Sequence, residues 1–229
     1  MVRRYERNIG MLSLEEMEKV RSSSVCVIGC GGLGGYIIEL LARLGIGKIT
    51  AVDGDVFDET NLNRQLLSYP GNIGTGKAGA AEARVNLINP DVAVYPLNVF
   101  LDEENAGGIV RGHDVVVDAL DSIGTRLMLQ EACKREEIPL IHGAIAGWYG
   151  QVSTILPGDD TLSLLYPENA GTSKGIEKQL GNPSFTPALV ASIEAGEVLK
   201  VIIGRGSLLR NRILRIDLLE QEYDIIEIR

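Results

Sequence analysis

Cysteine is scarce: 229 residues contain three, Cys26, Cys30 and Cys133, and no two form a C-x-x-C pair. That excludes a disulfide framework and a zinc knuckle as sources of stability. Positive charge is also short, with 22 Lys and Arg against 31 Asp and Glu, a formal net charge of -9. A broad phosphate-backbone footprint needs a basic face, so nucleic acid is not expected as the main partner. The start, MVRRYERNIGMLSLEEMEK, lacks the apolar stretch of a signal peptide, and no later run approaches the ~18 apolar residues of a membrane span. A cytoplasmic protein with no membrane partner is expected. Internal repeats, low-complexity blocks and a Tyr-Lys or His-Asp constellation for hydride transfer are absent too.

What is present is enough apolar sequence, 45% hydrophobic residues, to bury a core. Ser13 and Glu16 stand as a capping box ahead of a short helix. SVCVIG (24–29) and KITAVD (48–53) read as buried strands around a helix from about Leu33 to Leu44, a βαβ unit. Helical spacing returns at 76–88. A strand VAVYPLNV, a helix opening with Asp102, Glu103 and Glu104, a strand DVVVDAL and a helix at 122–136 follow. PLIHGAI and GQVSTIL continue the alternation, and RILRIDLL with YDIIEIR predicts an antiparallel hairpin. The fold class is α/β, a doubly wound Rossmann-like, mostly parallel sheet with an antiparallel C-terminal hairpin. One domain over 1–229 is expected: a helical arm (1–22), a nucleotide-binding core (23–156), a polar crossover loop (157–185), and a helix with the hairpin (186–229). That helix is expected to start with Thr186 as N-cap and Pro187 at its first position, its small residues Ala188, Ala191, Ala195 and Gly196 suiting close packing.

Gly29, Gly31 and Gly34 stand in G-x-G-x-x-G register between a strand and a helix, where bare amides and the helix start can meet a phosphate; Gly32 and Gly35 open the turn further. Asp53 ends the next strand, where a carboxylate can accept from ribose hydroxyls. These features alone fit NAD, FAD, SAM or ATP. GNIGTGKA (71–78) imitates a P-loop but carries Ala78 where a magnesium-binding hydroxyl belongs, and is rejected as one. Lys77 remains a cation near a helix start. Taken singly, Arg64 reads as a helix-surface residue and Asp121 as a plain N-cap.

Together, the glycine loop, the N-x-x-R-Q element Asn61 to Gln65, Lys77 and the D-x-x-D element Asp118 to Asp121 occur in an order that resembles the ThiF/MoeB/HesA family of adenylating enzymes, relatives of ubiquitin-activating E1 proteins. The resemblance runs from RYERNIG to the final hairpin. It implies an adenylyltransferase that activates the C-terminal carboxylate of a small ubiquitin-like sulfur-carrier protein ending in Gly-Gly, of the molybdopterin, tungstopterin or thiamine type, with ATP as substrate and Mg2+. Carried over, the glycines and Asp53, with Asp55 beside it, hold the nucleotide. Asn61, Arg64 and Lys77 contact the triphosphate, and Asp121 binds magnesium. Arg7 reaches across a homodimer to the neighbour's phosphates.

Two family features are missing. The paired C-x-x-C zinc ligands are absent, so no zinc is expected and the hairpin end is left to packing alone. The crossover loop has no cysteine, so the expectation is an enzyme that stops at the acyl-adenylate and passes it to a separate sulfur donor. Cys26 and Cys133 read as buried structural thiols and Cys30 as a variable loop position, while His142, Trp148 and Tyr149 are candidates for lining the carrier's tail channel. The alternatives are an enzyme acting like the tRNA threonylcarbamoyladenosine dehydratases, an NAD(P)-dependent oxidoreductase, and a non-catalytic nucleotide or partner binder.

Overall fold

The computed structural model describes residues 3–167 and 180–228. One eight-stranded sheet runs through it in the order β3-β2-β1-β4-β5-β6-β7-β8. The strands are β1 (Ser24–Ile28), β2 (Lys48–Val52), β3 (Ala93–Leu97), β4 (Val115–Asp118), β5 (Leu140–Ala146), β6 (Tyr149–Ile155), β7 (Arg212–Asp217) and β8 (Glu222–Glu227). The first five are parallel, and β5 to β8 pair antiparallel. The central strands are near-continuous apolar runs because both their faces are covered. Side-chain alternation then sorts each strand between two cores. Val25, Val27, Val115 and Val117 face one core; Cys26, Ile28 and Val116 face the other.

On the first face lie α1 (Leu14–Ser22), α2 (Gly32–Leu44), α3 (Lys77–Ile88) and the 19-residue helix Phe185–Ile203, here α7. The second face carries α4 (Ala106–Val110), α5 (Ile123–Arg135) and α6 (Thr161–Leu165). The capping box at Ser13 is formed in full, its hydroxyl accepting from Glu16 N and its own N–H meeting the Glu16 carboxylate. Strand order reverses between β1 and β4, which opens a crevice at their C-terminal ends, where ligands settle in sheets of this kind.

Four sequence expectations need correction. Asp102 does not start a helix: its carboxylate accepts from the N–H groups of Glu104 and Asn105 in a local turn, and only Ala106–Val110 is helical. Gly107 and Gly108 in that short stretch, and Gly112 at φ 79°, keep it from growing. Thr186 is not the N-cap of α7. The helix begins at Phe185 behind Ser184, and the buried Thr186 hydroxyl instead donates to the Gly147 carbonyl at 2.7 Å, satisfying the turn between β5 and β6. The segment 157–185 is not all loop, since α6 buries Leu162 in the second core; residues 168–179 of the expected crossover lie outside the described residues. Nor is the hairpin end held by packing alone. Arg210 makes a bidentate pair with Asp159, both bonds 2.9 Å, and the buried Glu197 carboxylate accepts from Thr154 Oγ1 and from Leu209 N.

Candidate active site

A cavity of about 710 Å3 occupies the crevice, within the ~300–1,000 Å3 range of small-molecule sites. Its first wall is the turn from β1 into α2. Gly29 has φ 97° and its N–H donates to the Val52 carbonyl at 2.7 Å; a Cβ there would stand 2.6 Å from Ala119 O. A Cβ on Gly34 would fall 1.7 Å from Gly29 O. These two glycines let the strand, turn and helix close on one another. Gly31 and Gly32 are the ones that leave open wall: a Cβ on either meets nothing nearer than 3.5 Å. Gly34 does not line the cavity among the described residues, whereas Gly29, Gly31 and Gly32 do. Because α2 starts there with no side-chain cap, its free amides present a partial positive charge to the space.

Asp53 follows β2, its carboxylate already oriented: Oδ2 accepts from Cys30 N and Oδ1 from Asp55 N, both at 2.8 Å. Each oxygen keeps a second lone pair for a hydroxyl donor. Lys77, the first residue of α3 and only 7% exposed, places Nζ 3.1 Å from Asp55 Oδ2. Arg64 sits at the cavity rim with Nη1 donating to Thr60 O and Asn63 Oδ1, each at 3.0 Å. Asp121, exposed beyond β4, also lines the space. The charged lining comprises Arg64, Lys77, Arg126 and Arg215 against Asp53, Asp55 and Asp121, a local cationic excess in an acidic chain. That balance suits a polyanion.

Two candidate residues stand elsewhere. Asn61 is buried in its turn, where Oδ1 accepts from Asp58 N at 3.1 Å, and it is not part of the cavity lining; it shapes the loop that carries Arg64. Arg7 lies in the 3-10 segment Arg3–Asn8, beside the C-terminal end of α2, where Tyr5 packs over Gly45. The glycine loop is at the other end of that 13-residue helix, ~20 Å away at 1.5 Å per residue.

The wall opposite the glycine loop joins Asp118 and His142, both singled out in the sequence, to Arg126, Gln151 and Tyr166, which were not. Asp118 and His142 are fully buried, with His142 Nδ1 2.7 Å from Asp118 Oδ2. Gln151 Nε2 lies 3.1 Å from His142 Nε2 and donates to Tyr166 Oη at 2.7 Å, and Arg126 Nη1 approaches the same Oη at 3.4 Å. Burial holds the His142 imidazole below its ordinary range, although Asp118 pulls the other way, so the ring is neutral. Gln151, Tyr166 and Arg126 line the cavity; His142 stands behind them. Tyr149 lines it as well, whereas Trp148 stacks on Phe185 with ring centroids 4.7 Å apart and is not in the lining. Gln65, next to Arg64, is a further lining residue, buried and with no hydrogen-bond partner for Oε1 among the described residues. Asp118 and Gln65 stand in the two motif elements and His142 and Tyr149 were tail-channel candidates, whereas Arg126, Gln151 and Tyr166 carried no sequence signal.

All three thiols are buried. Burial pushes Cys133 up to about 12 and Cys26 and Cys30 far above the ordinary thiol range, so none is a ready nucleophile.

Residues 5–229 match the ThiF family. The chain belongs to that family. Among its relatives, the SAMP-activating enzyme E1 of Haloferax volcanii is 37% identical over 230 residues, covering 99% of this chain and 85% of the relative. The sulfur carrier protein adenylyltransferase of Thermus thermophilus is 33% identical over 235 residues, covering 99% and 87%. This ThiF-family chain is accordingly an E1-like adenylyltransferase. Escherichia coli MccB, solved with ATP, superposes with a TM-score of 0.84 at 20% identity over all of this chain and 72% of that one, a likeness of fold. No helix among the described residues is long and apolar enough to cross a membrane.

Proposed function

We propose that this ThiF-family enzyme uses ATP to adenylate the C-terminal carboxylate of a small ubiquitin-like sulfur-carrier protein. The observation that carries the reading is the convergence of four separate segments, the glycine turn, Asp53–Arg64, Lys77 and Asp121, on one cationic cavity. The names of the two sequence relatives supply the class of acceptor.

The chain's own groups divide the work. The Asp53 carboxylate, held by two backbone amides, accepts from the ribose hydroxyls. Gly31 and Gly32 admit the phosphates to the start of α2. Lys77 exchanges its Asp55 partner for phosphate oxygens, and Arg64 closes on them from the rim. An acceptor carboxylate oxygen attacks the α-phosphorus; the bond to the bridging oxygen of the β-phosphate breaks, and pyrophosphate leaves with that electron pair. Preplaced cations stabilise the charge gathering on the α-phosphate of the transferred adenylyl group and on the departing pyrophosphate. A lone exposed carboxylate such as Asp121 fits Mg2+, which takes one or two protein carboxylates and completes its shell with phosphate oxygens and water. When bound there, the ion neutralises phosphate charge. With every thiol buried, the product is the acyl-adenylate, which a separate sulfur donor consumes. A thiol-cleavable covalent adduct between enzyme and carrier would contradict this last step.

The test is ATP–pyrophosphate exchange with Mg2+, comparing no acceptor, carriers ending in Gly-Gly, and total tRNA. Carrier-dependent exchange that disappears in Asp121→Ala is the expected outcome. Exchange driven by tRNA alone would replace the acceptor, and NAD binding without MgATP binding would replace the chemistry.

A further inference from the structure

A glycine tail offers no side chain to recognise, so a site that selects it must read peptide N–H and C=O groups. The wall opposite the glycine loop is arranged for that. Neutral His142 gives its Nδ1–H to Asp118, which leaves Nε2 as an acceptor. The Gln151 group 3.1 Å from Nε2 must then be the amide nitrogen. Its two hydrogens go to His142 and to Tyr166 Oη. Tyr166 Oη thus accepts from Gln151 and faces Arg126 Nη1, while no described group accepts its own proton. Gln151 Oε1 likewise accepts from no described group, and both residues line the cavity. One acceptor and one donor, side by side, match the N–H and C=O of a peptide unit.

Their place in the sheet fits the acceptor and not the nucleotide. Gln151 is on β6, three strands from β1, ~14 Å at the usual strand spacing. Asp121 lies beyond the end of β4, between the two halves. On β7, Arg215 is the cross-strand partner of Gln151 and extends the same wall outward. A carboxylate arriving at the α-phosphorus from the side away from the glycine loop passes this wall.

We propose that Gln151 and Tyr166 are a specificity pair that binds a backbone peptide group of the acceptor's C-terminal tail, the Gln151 carbonyl accepting an N–H and the Tyr166 hydroxyl donating to a C=O. His142, seated on Asp118, is the positioning residue that holds the Gln151 amide in the required orientation. The inference rests on the carrier-adenylating reading above.

Exchange rates measured against carrier and against ATP, for carriers ending in Gly-Gly, test it. Tyr166→Phe removes one hydroxyl; the KM for carrier is expected to rise ~3–10-fold, the value of one hydrogen bond, with kcat and the KM for ATP within about 2-fold. Gln151→Glu sets an oxygen against His142 Nε2 and is expected to raise the carrier KM further. His142→Asn keeps a donor for Asp118 and loses the Nε2 acceptor. It is expected to raise the carrier KM selectively, although the residue lies behind the wall. Combined with Tyr166→Phe, its effect should fall short of the product of the two. If wild type shows carrier-dependent exchange and Tyr166→Phe keeps the wild-type carrier KM, the specificity pair is wrong and the enzyme's function stands. A His142→Asn protein that loses ATP and carrier affinity alike assigns His142 to the core alone and overturns its positioning role. If no carrier supports exchange with wild type, the parent reading fails and this one with it.

Discussion

Gly32 and Gly34 look equivalent in the glycine-rich turn, yet the structure gives them opposite tolerance. A methyl group on Gly34 would collide with the backbone oxygen of Gly29, which cannot move without opening the turn. Gly34→Ala is expected to destabilise the protein by more than about 2 kcal/mol and to abolish ATP binding. Gly32→Ala, whose nearest contacts are Pro187 Cβ at 3.9 Å and Arg64 Cγ at 4.0 Å, should stay within about 0.5 kcal/mol of wild type in urea unfolding. Lys77 acts through charge: Lys77→Ala should lower exchange by roughly 10²-fold or more with the fold intact by circular dichroism, since it removes a buried, preplaced cation. Residues such as Gly29, Asp53 and Lys77 were legible because strand, turn and helix start lie together in sequence and each needs a particular residue type. Asn61 stands outside the cavity lining for a reason the motif does not show, since an asparagine that caps its own turn carries the same letter as one that meets a phosphate. The wall built from Asp118, Arg126, His142, Gln151 and Tyr166 draws on β4, α5, β5, β6 and the end of α6, and no local pattern announces a constellation that only the sheet assembles.

At the scale of elements, strands and long helices were read to within a residue or two, because burial on both faces imposes continuous apolar runs and α2 repeats its apolar stripe over three turns. Short pieces failed where a side chain had competing uses: the Asp102 turn and Thr186, whose hydroxyl serves a neighbouring carbonyl. Helix α7 holds a further tension. Glu194 lies wholly buried against Gly143, where a Cβ would stand 2.3 Å from its carboxyl carbon, and neither oxygen has a hydrogen-bond partner among the described residues. Burial, with Asp118 adding to it and Arg126 opposing it, raises this carboxyl well above its ordinary value, so the folded protein keeps it protonated. The unfolded chain ionises it from about pH 4.5 upward; stability is therefore full below that pH and declines as pH rises towards the folded value. Glu194→Gln cannot ionise. Its stability relative to wild type, followed by urea unfolding between about pH 5 and 8, should rise with pH by up to about 1.4 kcal/mol per unit. A difference independent of pH would mean that Glu194 is charged in the fold.

The whole molecule poses the question of Arg7. Within one chain it stands at the far end of α2 from the glycine loop, so it can act on phosphates only in another chain's cavity. A role in catalysis therefore requires a homodimer in which each arm completes the partner's site. The arm is well anchored for such a reach: Tyr5 is buried over Gly45, its hydroxyl accepts from Asn89 Nδ2 at 2.8 Å, and Arg4 contacts Asn89 Oδ1. Complementation distinguishes the two arrangements. If Arg7 works in trans, Arg7→Ala and Asp121→Ala are each inactive alone, yet their mixed dimer has one site carrying both defects and one carrying neither. After subunit exchange at equal amounts, half of the dimers are mixed and half of their sites are intact, so exchange activity should recover to about a quarter of wild type. If Arg7 is only a surface cation, Arg7→Ala retains its own activity and mixing adds nothing beyond it.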